Sequence, residues 1–144
     1  MEPKKIVEVI HAFGHPNIRA SHPTTIMITK ERQVTRRGDC IVAVDANKSV
    51  ADLSIEFKKA LRKPNSKLAI QIEVDGSVGQ INAYGSPELT LNHPNDLVIR
   101  TSEFISDRTL AVKADKSSGD LSRAVVDKLK NPKQQVTLTL TVEA

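Results

Sequence analysis

An internal repeat constrains this chain more than any other feature. Ala12-Phe13-Gly14-His15-Pro16 is answered by Ala83-Tyr84-Gly85-Ser86-Pro87, and His22-Pro23 by His93-Pro94, at one offset of 71 residues. Ile10, Ile18, Ile26 and Ile28 meet Ile81, Leu89, Leu97 and Ile99 in the same register. The offset then shortens to 68 and holds to the end. Ala43-Val44 matches Ala111-Val112, Ser49 matches Ser117, Asp52-Leu53-Ser54 matches Asp120-Leu121-Ser122, and Pro64 matches Pro132. A repeat of this length means one supersecondary unit built twice, whose halves cover each other's apolar faces. The copies run from about residue 5 to 75 and from 76 to 144. At 144 residues, the two together make one domain spanning residues 1–144 that buries a core without disulfides.

Each copy reads as β-β-β-α-β. Ile6 to Phe13 and Val78 to Tyr84 are β-branched first strands closed by glycine. Thr25 to Thr29 and Leu97 to Arg100 are second strands entered through His-Pro turns. Ile41 to Val44 and Leu110 to Val112 are third strands, expected to be central. Ser49-x-x-Asp52 and Ser117-x-x-Asp120 have the form of capping boxes and predict helix starts. Val50, Leu53, Phe57 and Leu61 then fall on one helical face, as do Leu121, Ala124, Val125 and Leu129, before Pro64 and Pro132 stop the helices. The last strands alternate as Leu68, Ile70, Ile72, Val74 and as Val136, Leu138, Leu140, Val142. Asp75-Gly76 between strands is a tight hairpin signal that knits the copies together. The expected class is α+β. Two units related by a pseudo-twofold axis form a mostly antiparallel β-barrel-like core, closed edge to edge, with two outer helices.

Two resemblances follow from these residues. Gly14-His15-Pro16-Asn17-Ile18-Arg19-Ala20-Ser21-His22, Thr24-Thr25, Arg37-Gly38-Asp39-Cys40 and Ala51-Asp52-Leu53-Ser54 resemble an archaeal family known as domain of unknown function 371. Gly85-Ser86-Pro87, Arg108-Thr109 and Asp115-Lys116 extend that likeness over nearly the whole chain. Met27 and Pro16 depart from the pattern, which leads one to expect an acidic residue and Glu there. The resemblance implies an archaeal, intracellular protein and brings no established activity. Gly38-Asp39, with Ser106-Asp107 as its partner, is similar in architecture to cradle-loop barrels, which host many unrelated functions.

The duplication also acts as a filter. Residues present in both copies read as scaffold, and chemically loaded residues present in one copy are candidates for function. His22 and His93 then read as turn residues, Asp52 and Asp120 as caps. The first copy alone carries His15, Asn17 and Arg19, against Ser86, Glu88 and Thr90. It also has three additional residues between Thr29 and Asp39, in a loop bearing Arg32, Arg36 and Arg37, whose guanidinium forks suit phosphates or carboxylates. Asp39, shared with Asp107, fits a turn, and Cys40 stands where the second copy has Arg108. The candidate binding residues are therefore His15, Asn17, Arg19, Arg32, Arg36, Arg37, Asp39 and Cys40. No metal-ligand spacing is met, no cofactor motif is present, and the catalytic residues stay unassigned.

Two functions fit. The net charge of +4 and the arginine loop favour a non-enzymatic binding module for RNA or a ribonucleoprotein such as the ribosome. With aromatics limited to Phe13, Phe57, Tyr84 and Phe104, such a module grips phosphates rather than stacking on bases. The alternative is a small-molecule enzyme or binder for a phosphorylated or carboxylated ligand. There Arg19, Arg36 and Arg37 hold the ligand and His15, Asp39 or Cys40 supplies acid, base or nucleophile. One cysteine, no membrane-length apolar run, and a Met1-to-Lys5 lead without signal-peptide character lead us to expect a cytoplasmic protein.

Overall fold

The computed structural model describes residues 4–143, so the reading of Met1–Pro3 lies outside the described residues. In the first copy the strands are β1 (Lys5–Phe13), β2 (Thr25–Thr29), β3 (Ile41–Ala43) and β4 (Lys67–Val74), with helix α1 (Ile55–Leu61) before β4. In the second they are β5 (Ser77–Tyr84), β6 (Asp96–Arg100), β7 (Thr109–Ala111) and β8 (Gln135–Glu143), with α2 (Arg123–Leu129) before β8. The order of elements thus repeats.

The strands form two four-stranded sheets, ordered β1-β8-β4-β5 and β3-β2-β6-β7. The first is wholly antiparallel, with β8 and β4 at its centre. Asp75 and Gly76 both take positive φ (49° and 81°), the left-handed pair that a two-residue hairpin turn needs, and Val74 pairs with Ser77 across it. In the second sheet, β2 and β6 pair antiparallel at the centre, while β3 and β7 run parallel to them at the edges. The third strands are therefore edge strands of three residues each, not central ones.

The expected β-barrel-like closure does not occur, and neither sheet closes on itself. The outer strands β1 and β5 of the first sheet each form one isolated bridge to the chain leaving the other sheet, Phe13 with Val44 and Tyr84 with Val112. Directly afterwards Asp45 and Lys113 turn into positive φ (52° and 54°), which breaks the ladder, so Asn47 and Asp115 bond back to His11 and Asn82 through one backbone bond and their side chains instead of as a strand. The helices do not lie outside a barrel wall either. Glu8, which bonds the residue preceding α1, shares a face of β1 with the buried Ile10 and Ala12, so α1 sits on the core side of the sheet. Phe57, Ala60 and Leu61 of α1 and Val126 and Leu129 of α2 join the same apolar cluster as the strands.

The capping boxes form but start only a 3-10 turn. Asp52 accepts the Ser49 N–H at 2.9 Å and Asp120 the Ser117 N–H at 2.8 Å. Leu53 and Leu121 then extend, with φ −67° and ψ near 149° and 144°. The α-helices begin at a second cap, where Ser54 Oγ accepts from Phe57 N–H and Ser122 Oγ from Val125 N–H. Each copy thus holds two helix-start signals five residues apart, Ser49 and Ser54 in the first, and the chain uses both.

Candidate functional site

The loop after β1 is held by the opposite half of the chain. Gly14 N–H donates to the Gln134 carbonyl at 3.0 Å and His15 N–H to the Leu129 carbonyl at 2.8 Å, at the C-terminal end of α2. Any Cβ on Gly14 would run into the Leu129 and Asn131 carbonyl oxygens, so the close approach requires glycine. Gly85 makes the matching approach to Leu61 and Ser66 at the end of α1. From this fixed point His15 is buried, and its Nδ1 accepts the Asn17 N–H at 3.0 Å. Its Nε2 lies 3.3 Å from Gln33 Oε1, and Asn17 Nδ2 donates to the Val34 carbonyl at 2.9 Å. His15 and Asn17 therefore stitch their own loop to the arginine loop.

The arginines divide into two groups. Arg32 Nε pairs with Asp45 Oδ1 at 3.2 Å, beside a cleft of about 460 Å³ lined in part by His15, Gln33 and Pro132. The second copy has the same construction with its charges exchanged: Glu103 stands at the Arg32 position, Lys113 at that of Asp45, and they pair at 3.1 Å. Arg32 thus belongs to a duplicated ion pair. Arg19, Arg36 and Arg37 are exposed, and among the described residues they form no ion pair. Arg19 Nη1 donates to the Arg36 carbonyl at 3.4 Å, which joins the two loops. Arg123, at the start of α2, adds a guanidinium there, donating to the Ala20 carbonyl at 2.9 Å and the Arg19 carbonyl at 3.4 Å. Sequence reasoning missed Arg123, although it stands where the first copy has the exposed Ile55.

Asp39 and Cys40 lie in different surroundings. Asp39 acts through its backbone, its carbonyl accepting from Ser21 N–H at 2.8 Å and His22 N–H at 3.2 Å. Cys40 is half-buried, and burial, with the neighbouring Asp39 carboxylate, pushes its thiol above the ordinary range. That is the opposite of an activated nucleophile. Neither residue lines the cleft beside His15. His22 and His93 do what turn histidines do, their Nδ1 atoms accepting backbone N–H from Thr24 at 3.1 Å and from Asp96 at 2.9 Å. The basic end of α1 is engaged too, with Arg62 bonded to the Leu89 and Thr90 carbonyls. Among the described residues no group of three or more His, Cys, Asp or Glu is placed to hold a metal ion. No helix among them is long and apolar enough to cross a membrane.

A family profile described as domain of unknown function (DUF371) matches residues 10–143 of this chain. The chain belongs to that family. An uncharacterized protein of the archaeon Methanocaldococcus jannaschii is 46% identical over 128 residues, which cover 89% of this chain and 94% of the relative. Every candidate residue from His15 to Cys40, and the Arg123 that the structure adds, falls within the segment matched by the DUF371 profile.

Proposed function

We propose that this DUF371 protein is a non-enzymatic module that binds RNA or a ribonucleoprotein through phosphate contacts made by Arg19, Arg36 and Arg37. The observation that carries this reading is the surface these residues share with Arg123. Loops from distant parts of the chain converge there by hydrogen bonds, and among the described residues none of these guanidiniums is neutralised by a carboxylate. Arginine left unpaired on a held backbone suits phosphate oxygens, because its fork is presented without first breaking an internal ion pair. The small count of aromatics points the same way, to backbone grip over base stacking. Cys40, with its raised thiol, gives no support to a nucleophilic reading.

Fluorescence anisotropy of a labelled RNA hairpin, measured across a range of salt concentrations, tests the proposal. Arg36→Ala with Arg37→Ala should weaken binding and reduce the salt slope by about 2, because each arginine that neutralises a phosphate adds roughly 1 to it. Arg32→Ala should change the slope much less, since Asp45 already holds that guanidinium. Failure of the wild-type protein to bind, or an unchanged slope in the double variant, refutes the reading.

A further inference from the structure

We infer that the second half of the protein carries a binding site for a small organic carboxylate, between β5 and α2, and the first half supplies its template. In the first copy the buried Glu8 accepts from Ser54 N–H at 2.8 Å and from Lys48 Nζ at 2.8 Å. The position of Glu8 in the second copy is Gly79, while the two donors are retained as Ser122 and Lys116. Ser122 N–H bonds no protein acceptor among the described residues, and Lys116 Nζ turns to the Gln80 carbonyl at 2.8 Å. A Cβ on Gly79 would meet nothing within 4 Å. The second copy thus keeps the donors and lacks the carboxylate they hold in the first.

A second replacement enlarges the space. Phe57, wholly buried on α1, has Val125 as its counterpart, and Val125 is only partly buried. Between β5 and α2 there is accordingly a cavity of about 290 Å³, with Ile72, Ile81, Leu121 and Val125 on its apolar side and Lys116 and Ser122 at its polar end. Around Glu8, by contrast, α1 packs on β1 and β8 with Phe57 wholly buried.

These shapes define the ligand. A Glu side chain cut at its Cα–Cβ bond is a propionate, so the polar end fits a carboxylate on a two-carbon stem. The space left by the Phe57-to-Val125 exchange accepts an apolar body attached to that stem, as in an arylalkyl or short aliphatic acid. Asp120 lines the same cavity and opposes an anion. Its counterpart Asp52 lies 3.1 Å from Lys30, whereas the second copy has Thr101 in place of Lys30. The site therefore binds such acids more weakly than Glu8 is held, and Asp120→Asn strengthens binding. This inference rests on Gly79, Lys116 and Ser122, none of which carries the RNA reading, although Ser122 adjoins Arg123.

Titration of ¹⁵N-labelled protein with sodium propionate and sodium 3-phenylpropionate, against sodium chloride and propan-1-ol, tests the site. Both acids should give saturable amide shifts at Gly79, Lys116 and Ser122, with 3-phenylpropionate the tighter, and neither control should do so. Lys116→Met should weaken binding about tenfold, the loss expected for one charge-assisted hydrogen bond. Gly79→Glu should abolish it by supplying the carboxylate from the chain itself. Glu8→Gly should open a second site, seen as new shifts at Lys48 and Ser54. Absence of saturable shifts at Ser122, equal shifts with chloride, or undiminished binding in Gly79→Glu overturns the inference. If Gly79→Glu does not fold, undiminished binding in Lys116→Met overturns it alone.

Discussion

Replacing Glu8 by Gln tests the packing logic of the fold at one atom pair. Gln keeps the volume and one oxygen for the Ser54 N–H, but its amide NH2 then stands where the second carboxylate oxygen accepted from Lys48, so both the ion pair and that hydrogen bond are lost. Two charge-assisted bonds at 2.8 Å converge on this carboxylate. Each is worth somewhat more than a neutral bond, so at neutral pH the substitution should cost about 1–2 kcal/mol. The pH dependence sharpens the test. Burial alone would raise the Glu8 carboxyl, but hydrogen bonds from Lys48 and from Ser54 outweigh it and hold the group below its ordinary value of 4.5. A depressed folded value means that the stabilisation is fully present above the unfolded value and disappears as pH falls through the folded one. Urea unfolding of the wild type and Glu8→Gln should thus show a gap at pH 7 that narrows as the pH falls below 4.5 and through the lowered folded value of Glu8. A gap of equal size throughout would show that the carboxylate charge contributes nothing and that the loss is one of packing.

Other outcomes follow from the same geometry. Gly14→Ala and Gly85→Ala force a Cβ into backbone carbonyls at the ends of α2 and α1, so each should lower stability by about 1–3 kcal/mol in denaturant unfolding. Wild-type stability in either variant would mean that the loops and helix ends are free to separate. Cys40, half-buried with its thiol pushed up, should react with iodoacetamide at pH 7.5 more slowly than a free cysteine and reach that rate only on unfolding.

Much of the fold was legible because it depends on local chemistry repeated twice. The strand ranges, the Asp75-Gly76 turn and the His-Pro turns follow from alternation and from residues with few permitted conformations. Barrel closure was not legible. It depends on whether chain leaving β3 and β7 continues along a neighbour, and Asp45 and Lys113 decide this by taking positive φ, which neither residue type announces. The helix start was misread for a different reason. Ser49-x-x-Asp52 is a true cap, but Ser54 follows with an equally good one, and burying Leu53 between them requires an extended residue. Of the candidate residues, His15 with Asn17 and Arg19 with Arg36 are brought together, whereas Asp39 and Cys40 stand apart from the cleft beside His15.

The duplication also shows how a comparison of copies should be made. Comparing residue types marked Arg32 as peculiar to the first copy, yet the ion pair it makes with Asp45 recurs as Lys113 with Glu103, charges exchanged. The unit shared between the halves is the interaction, so a candidate is better judged by whether its partner changed with it. By that standard Arg36 and Arg37 remain distinctive, since they sit in the loop with three additional residues and among the described residues have no carboxylate beside them. Gly79 is distinctive in the opposite sense. It carries no functional group and no filter for reactive residues would select it, but its partners Lys116 and Ser122 persist. A donor set that has lost the carboxylate its twin still holds is a more specific statement about a ligand than an exposed charge, because the twin gives the stem length and the acid group as well as the sign.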